Sequence, residues 1–315
     1  MTDQPSRIVN MTVGSAEAGT RLDRLLADHL TGVARKRAGE LIASGRVRVD
    51  GHRYSKSYCP TLGQKIEVRL GDEGDAIAAP DVNLSVLVET PELVVIDKPA
   101  GLPSAALPDH ARATAAGALL ARYPEMAGVG FSPRDPGLVH RLDTFTSGAL
   151  LAARSARSFD ALRRALEAGE IDKRYLALVQ SAAIDDAGVI DVALAPDPKN
   201  RRRVRAVGAN DAHAHRCQSS YEVRLRGPTI ALVEVRAPSA YRHQIRAHLA
   251  SRGSPLLGDE LYGGPPSGLG ERHALHASSL AGSGFAARAP LASDLVQLLL
   301  DDGVGVERVL AASGE

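Results

Sequence analysis

What most constrains this 315-residue chain is a break in its apolar pattern, from Gly71-Asp72-Glu73-Gly74-Asp75 to Pro80-Asp81. A stretch of Gly, acidic residues and Ala with no apolar period offers nothing to bury, so residues 71–82 read as a linker. It divides the sequence into a small domain over residues 1–70 and a large one over residues 83–315. The length agrees with a prior of about two domains. Apolar residues make up 44% of the chain, but aromatics only 3%, and there is no Trp. Both cores must therefore be assembled from Leu, Val, Ile and Ala.

The two parts differ in charge. The chain carries +1 overall, yet residues 1–70 hold 12 Lys and Arg against 7 Asp and Glu, a balance of +5, leaving −4 for the rest. That balance suits a polyanionic partner, and it equally fits a solvated basic face. Cys59 and Cys217 are too few for a disulfide framework or a metal cluster and read as free thiols of a reducing compartment. Met1 to Asn10 lacks an apolar signal core, and no run nears the roughly 18 apolar residues a membrane span needs. A cytoplasmic protein is the expectation.

In the small domain, Leu22, Leu25, Leu26 and Leu30 fall at helical spacing after Thr20, a candidate N-cap, and the pattern predicts a second helix over residues 34–43. Arg46-Val47-Arg48-Val49 alternates, Asp50-Gly51 signals a hairpin turn, and residues 65–70 alternate again. In the large domain, strands are expected over residues 84–88, 93–96, 175–179, 221–225 and 230–236, with amphipathic helices over 157–168 and 292–300. Strands outnumber helices and no strict βαβ alternation appears. That predicts an α+β fold with a largely antiparallel or mixed sheet.

Three segments of the large domain place polar residues between apolar stretches. In His140-Arg141-Leu142-Asp143-Thr144-Phe145-Thr146-Ser147-Gly148, a carboxylate beside two bases precedes a Gly and an apolar run, as an active-site group on a loop entering a strand would. A turn or cap explains the same Asp taken singly. Lys173-Arg174-Tyr175 enters a strand. In Arg242-His243-Gln244-Ile245-Arg246-Ala247-His248, the two His are five apart, which is not the i, i+4 metal pair, so no metal is expected.

Arg21-Leu22-Asp23, Ala34-Arg35-Lys36-Arg37, Leu41-Ile42 and Gly45-Arg46-Val47-Arg48-Val49-Asp50-Gly51, in that order, resemble the alpha-L RNA-binding domain over about residues 19–70. The resemblance implies phosphate contacts from Arg35, Lys36 and Arg37 at a helix start and from Arg46, Arg48 and Arg53 on the hairpin. Ala34 stands where that family usually has a capping Ser.

The large domain resembles the RluA family of pseudouridine synthases over roughly residues 84–282. His140-Arg141-Leu142-Asp143, with Thr146-Ser147-Gly148, matches its catalytic signature. Supporting matches are Asp97-Lys98-Pro99-Ala100-Gly101, Lys173-Arg174-Tyr175-Leu176-Ala177, the basic stretch Lys199 to Arg203, His243-Gln244-Ile245-Arg246-Ala247-His248, Gly258-Asp259-Glu260-Leu261-Tyr262-Gly263-Gly264 and Ala274-Leu275-His276-Ala277. The resemblance implies cofactor-free isomerisation of uridine in structured RNA. Asp143 supplies the indispensable carboxylate, Arg246 its ion pair, and Tyr175 a ring on the uracil. Arg141 would fill the space of the flipped nucleotide. His140, Thr146, His243 and Gln244 are expected at the substrate, with Arg201 and Arg202 on the RNA. The carboxylate could attack the anomeric carbon or act as base on the neighbouring ribose carbon, and an older idea has it adding to the uracil ring.

Thr144-Phe145 replaces the family's charged pair, Ala240-Tyr241-Arg242 its Gly-Arg-Thr, and Asp97 a common Asn. The first two departures flank the expected pocket and bear on substrate identity. Large-subunit rRNA is the first expected substrate and tRNA the second, and the expected state is a monomer. Two other classes share part of the pattern: a non-catalytic RNA-binding or ribosome-assembly protein, and a hydrolase of small glycosides. The Asp-Tyr-Arg set argues against the first. The basic domain and the lack of a second clear carboxylate argue against the second.

Overall fold

The computed structural model describes residues 7–30, 35–43, 45–70, 76, 78–106, 113–239 and 241–314. The chain forms two compact units, one on Met1–Asp75 and the other on Ala76–Leu107 with Ala111–Glu315. Ala34, Ala240 and residues 71–75 and 77 of the expected linker lie outside the described residues.

In the first unit the elements are β1 (Arg7–Thr12), α1 (Leu22–His29), α2 (Arg35–Ala43), β2 (Val47–Val49) and β3 (Lys65–Leu70). The sheet has the antiparallel order β1-β3-β2. Leu22, Leu25 and Leu26 of α1 meet Ala38, Leu41 and Ile42 of α2 over Val47, Val49, Ile66 and Val68. Asp50 and Gly51 both take positive φ, as a two-residue hairpin turn requires. Helix α1 starts at Leu22 with Arg21 as its N-cap, and Thr20 does not cap it. Asp23 in its first turn accepts hydrogen bonds from Arg21 and from Nε of Arg35, tying α2 to α1. Those partners, Arg21 foremost, hold the Asp23 carboxyl down at about 2.

The second unit runs β4 (Ser85–Glu89), β5 (Leu93–Lys98), α3 (Ala115–Arg122), β6 (Ser147–Ala153), α4 (Ala156–Glu167), β7 (Asp172–Gln180), β8 (Ala187–Asp191), β9 (Ala193–Pro196), β10 (Val204–Val207), β11 (Gln218–Arg226), β12 (Ile230–Arg236), α5 (Gln244–Ser251), β13 (Leu275–Gly282), β14 (Phe285–Arg288), α6 (Ser293–Asp301) and α7 (Val306–Ser313). Its main sheet has the order β4-β5-β6-β13-β7-β12-β11-β8, with β14 paired to β13. Among the described residues only the β6–β13 pairing is parallel, so the sheet is mixed. Strands β9 and β10 form a separate hairpin.

Strand β6 is buried at every position, which is why its sequence is a continuous apolar run. Leu150 and Ala152 face α3, while Leu151 and Ala153 face Phe159 and Leu166 of α4. Ile245 and Leu249 of α5 pack on Ala177, Val179 and Val233. Helices α6 and α7 cover Leu176, Leu178 and Leu232. The latter part of the expected linker belongs to this fold. Ala76 and Val82 pack on the α3 core, and the Ala79 amide donates to the Gly117 carbonyl. Composition does not reveal this, because the anchoring apolar side chains among the described residues, Ala76 and Val82, are isolated between polar and small ones.

Gly148 opens β6 with φ +106, and a methyl group there would sit 2.2 Å from the Ala277 carbonyl oxygen. In the sheet Gly148 is opposite Ala277, which is opposite Tyr175. This close approach brings the loop before β6 and the side chain on β7 to one end of three adjacent strands. Gly148→Ala combines a strained φ with a backbone clash and should cost roughly 3 kcal/mol. A denaturation midpoint unchanged from wild type would show that the crossing tolerates a side chain.

Candidate active site

Asp143, Tyr175 and Arg246 come from a loop, a strand and a helix that share no local sequence. Asp143 lies in the turn before β6, closed by the Thr146 amide donating to its carbonyl at 3.0 Å. Tyr175 projects from β7 between two apolar clusters. Arg246 sits in the first turn of α5, 7% exposed.

The Arg246 guanidinium is held on both sides. Its Nη1 donates to Oδ2 of Asp143 at 2.7 Å. Its Nε and Nη2 donate to the two oxygens of Asp259 at 2.7 and 2.8 Å. Its third neighbour is the Tyr262 ring, 5.2 Å from Cζ. Asp259 is 1% exposed on its side chain, whereas Asp143 is 26% exposed. The fork on Asp259 thus fixes the arginine from behind, and the remaining arm reaches the more open carboxylate. Oδ1 of Asp143 has no hydrogen-bond partner among the described residues, so it is the less committed of the two oxygens.

Burial pushes the Asp143 carboxyl up. His243, Arg246 and His273 oppose this more strongly, together with the Arg246 hydrogen bond, and hold it below the ordinary carboxylate value. Burial lowers His243, with Asp143 opposing, so that imidazole is neutral at pH 7. Arg246 is therefore the cation that keeps Asp143 ionised there. Burial also takes His273 down to about 4. The Tyr175 phenol is pushed up to about 12, by burial first and then by Asp143, so it stays protonated.

Lys98, fully buried at the end of β5, donates to the carbonyls of Pro99, Leu102 and Thr144 at 2.9, 2.8 and 3.1 Å. The Gly101 amide also donates to the Thr144 carbonyl, at 2.9 Å. Both contacts pin the backbone next to Asp143. Burial draws Lys98 down to about 7, while Asp143 opposes. Three carbonyls match the three hydrogens of an ammonium.

The other expected residues divide. His243 faces Asp143, with Nε2 at 3.8 Å from Oδ2. Arg141 is exposed beside Asp135, 3.7 Å away. Arg201 and Arg202 are exposed and have no side-chain partner among the described residues. His140, Thr146 and Gln244, expected at the substrate, make hydrogen bonds within the protein. His140 Nε2 accepts the Leu151 amide at 3.1 Å, and burial drives its pKa down to about 3. Thr146 pairs with His273 at 2.8 Å and is 2% exposed. Gln244 donates to the Gln218 carbonyl and accepts the Tyr241 amide, bracing the start of α5. The polar atoms of all three were free to serve either purpose, and only the packing decides.

In the first unit, Arg35 is engaged with Asp23, Arg48 donates to the Gly51 carbonyl at 2.9 Å, and the Arg53 guanidinium lies against Gly45. Arg46 is half-buried. The side chains of Lys36 and Arg37 fall outside what the structure describes. Asp259, Tyr262 and Lys98 were visible in the sequence only as matches to family segments. Their roles appear once the chain brings them to Arg246 and to the Asp143 loop.

Comparison with known proteins shows the family. The family described as RNA pseudouridylate synthase matches residues 92–251. Ribosomal large subunit pseudouridine synthase D of Xanthomonas campestris pv. campestris is 35% identical over 95% of both chains. The protein of that name in Escherichia coli O157:H7 is 32% identical over 91% of this chain and 92% of its own. Among solved structures, human RNA pseudouridylate synthase domain containing 4 is 22% identical, with a TM-score of 0.57 over 70% of this chain and 94% of its own, a likeness of fold. The protein is an isomerase that converts uridine in RNA to pseudouridine. It belongs to the RNA pseudouridylate synthases of the RluA kind.

If Asp143 must be ionised for activity, the charges around it set the acid side of the pH profile. In the wild type the acid limb of kcat/KM should lie below about pH 4, the ordinary aspartate value. In Arg246→Gln the carboxylate loses the one opposing charge that is present at every working pH, and the limb should move up. A pH–rate profile checks this, and an unmoved limb would remove Arg246 as the charge that ionises Asp143.

Proposed function

We propose that this protein isomerises specific uridines of large-subunit ribosomal RNA, with Asp143 as the catalytic carboxylate, Tyr175 on the uracil and residues 1–70 as an alpha-L RNA-binding domain. The reading rests above all on the Arg246–Asp143 pair at 2.7 Å, which leaves one carboxylate oxygen charged, oriented and open. Two relatives aligned over more than nine-tenths of this chain are named as acting on the large ribosomal subunit, which favours rRNA over tRNA.

Both routes open to one carboxylate begin at Oδ1. It can attack the anomeric carbon and release uracil, or take the proton of the neighbouring ribose carbon. Either needs the ionised form, which Arg246 favours. The uracil then turns and its carbon 5 bonds to the anomeric carbon, as the Asp143 ester bond breaks or as Asp143 returns the ribose proton; carbon 5 then loses its hydrogen and nitrogen 1 gains one. Tyr175, protonated and apolar-walled, offers its ring to the base and its hydroxyl to the reacting edge. Arg141, exposed on the same loop, is free to enter the space left in the RNA stack.

A two-carboxylate hydrolase fits less well. Asp259, the other carboxylate held by Arg246, is buried and bonded through both oxygens, so it cannot serve as a general acid.

The exposed Arg201 and Arg202 on the β9–β10 loop suit RNA phosphates. Arg201→Ala with Arg202→Ala should weaken RNA binding and reduce the slope of log affinity against log salt by about 1 per arginine. An unchanged slope would place the RNA elsewhere. Asp143→Asn should abolish pseudouridine formation while melting temperature and RNA affinity stay near wild type. Pseudouridine mapping of rRNA and tRNA, in cells lacking the gene and complemented with either form, reads both claims. Turnover by the variant would overturn the catalytic assignment, and a missing pseudouridine in tRNA would overturn the rRNA assignment.

A further inference from the structure

His243 is the N-cap of α5 and has φ +54, in the left-handed region. Among the described residues, the other non-glycine with positive φ is Asp50 in its hairpin turn. Strain of this kind persists where the surroundings over-determine it. Here it sets the imidazole between Tyr262 and Asp143. Nδ1 lies 3.1 Å from the Tyr262 hydroxyl, and Nε2 lies 3.8 Å from Oδ2 of Asp143. The two rings meet edge to face, 5.8 Å apart at 79°.

Tyr262 is itself fixed. It is 9% exposed, and the guanidinium carbons of Arg203 and Arg246 lie 5.4 and 5.2 Å from its ring centre. Its hydroxyl accepts the Val204 amide hydrogen at 3.0 Å. A phenol has one hydrogen to give, and with Val204 donating to it, the neighbour able to receive that hydrogen is Nδ1 of His243. An imidazole that accepts at Nδ1 and is neutral carries its own hydrogen on Nε2. Asp143 asks for the same form, since the other tautomer would turn a lone pair toward a carboxylate.

We propose that His243 is a positioning residue for the isomerisation: the Tyr262 hydroxyl holds it as the Nε2–H tautomer, and that N–H steers Oδ2 of Asp143 so that Oδ1 faces the ribose. Arg246 already donates to Oδ2. A second donor on the same oxygen fixes the plane of the carboxylate as well as its charge. The contact at 3.8 Å is longer than a hydrogen bond, and contacts of this kind shorten when substrate closes the site. One buried tyrosine therefore orients both groups that address Oδ2, the arginine through its ring and the histidine through its hydroxyl. This rests on Asp143 being the catalytic carboxylate.

The test uses the full-length enzyme in single turnover on total RNA from cells lacking the gene, which contains the target whichever RNA carries it. Asparagine tolerates the left-handed backbone and reaches Tyr262 but not Asp143. His243→Asn should lower the rate constant about tenfold while RNA affinity stays within about twofold. A glutamine amide reaches the place of Nε2, and His243→Gln should return to within about threefold of wild type. Tyr262→Phe keeps the ring and removes the hydroxyl. Its rate should fall about threefold, and the imidazole 15N signals of His243 should change from one tautomer to a mixture. The proposal falls if the His243→Asn defect lies in affinity, or if His243→Gln is no better at an equal melting temperature. It falls too if the His243 signals are the same in Tyr262→Phe. Asp143→Asn, run beside them, separates the two claims, because activity there overturns the carboxylate reading itself.

Discussion

The site depends on one buried guanidinium. Arg246 is shared between a closed carboxylate, Asp259, and a half-open one, Asp143. Burying a cation is expensive unless it is paired and hydrogen-bonded. Asp259 meets that cost through a two-pronged contact and leaves one arm for Asp143. The result is an anion that burial would otherwise neutralise, kept charged by a partner that cannot turn away. Lys98, fixed by three carbonyls, holds the backbone beside Asp143.

The sheet makes this meeting possible. Strands β6, β13 and β7 are neighbours, and the parallel β6–β13 pairing brings the end of the Asp143 loop beside the entry to β13. Gly148 lacks the methyl group that would force β6 away from Ala277. Two hydrogen bonds then staple the loop to β13 and its approach: Thr146 to His273 and Ser147 to His276. The small residues and the histidines of this region are thus fixed by the needs of the strand crossing, and the chemistry inherits the precision of that crossing.

Three of the residues expected at the substrate show where sequence reasoning stops. His140, Thr146 and Gln244 stand in the same short segments as Asp143 and Arg246, yet Nε2 of His140, the Thr146 hydroxyl and the Gln244 amide bond to the Leu151 amide, to His273, and to backbone groups near α5. A motif marks a neighbourhood and does not say which side chain faces the cleft. Conversely, Asp259 and Tyr262 reach Arg246 from a separate loop, and nothing local to α5 announces them. Arg35 shows the same ambiguity in the first unit, where part of an expected phosphate contact is committed to Asp23.

The sequence by itself determined the α+β class, the excess of positive charge in its first part, and the run, matched to the family, that contains Asp143. These follow from short-range properties: apolar period, turn residues, charge balance and a contiguous segment matched to a family. The first strand, the α3 and α5 helices and the β13–β14 pair were not legible. Their apolar residues are interrupted or shared with polar ones, and they are stabilised by neighbours distant in the chain. Only the tertiary structure decided which carboxylate oxygen is free, what holds Arg246, and which imidazole faces the site. Those are questions of distance between residues far apart in sequence, such as Asp143 and Arg246, and no periodicity encodes such a distance.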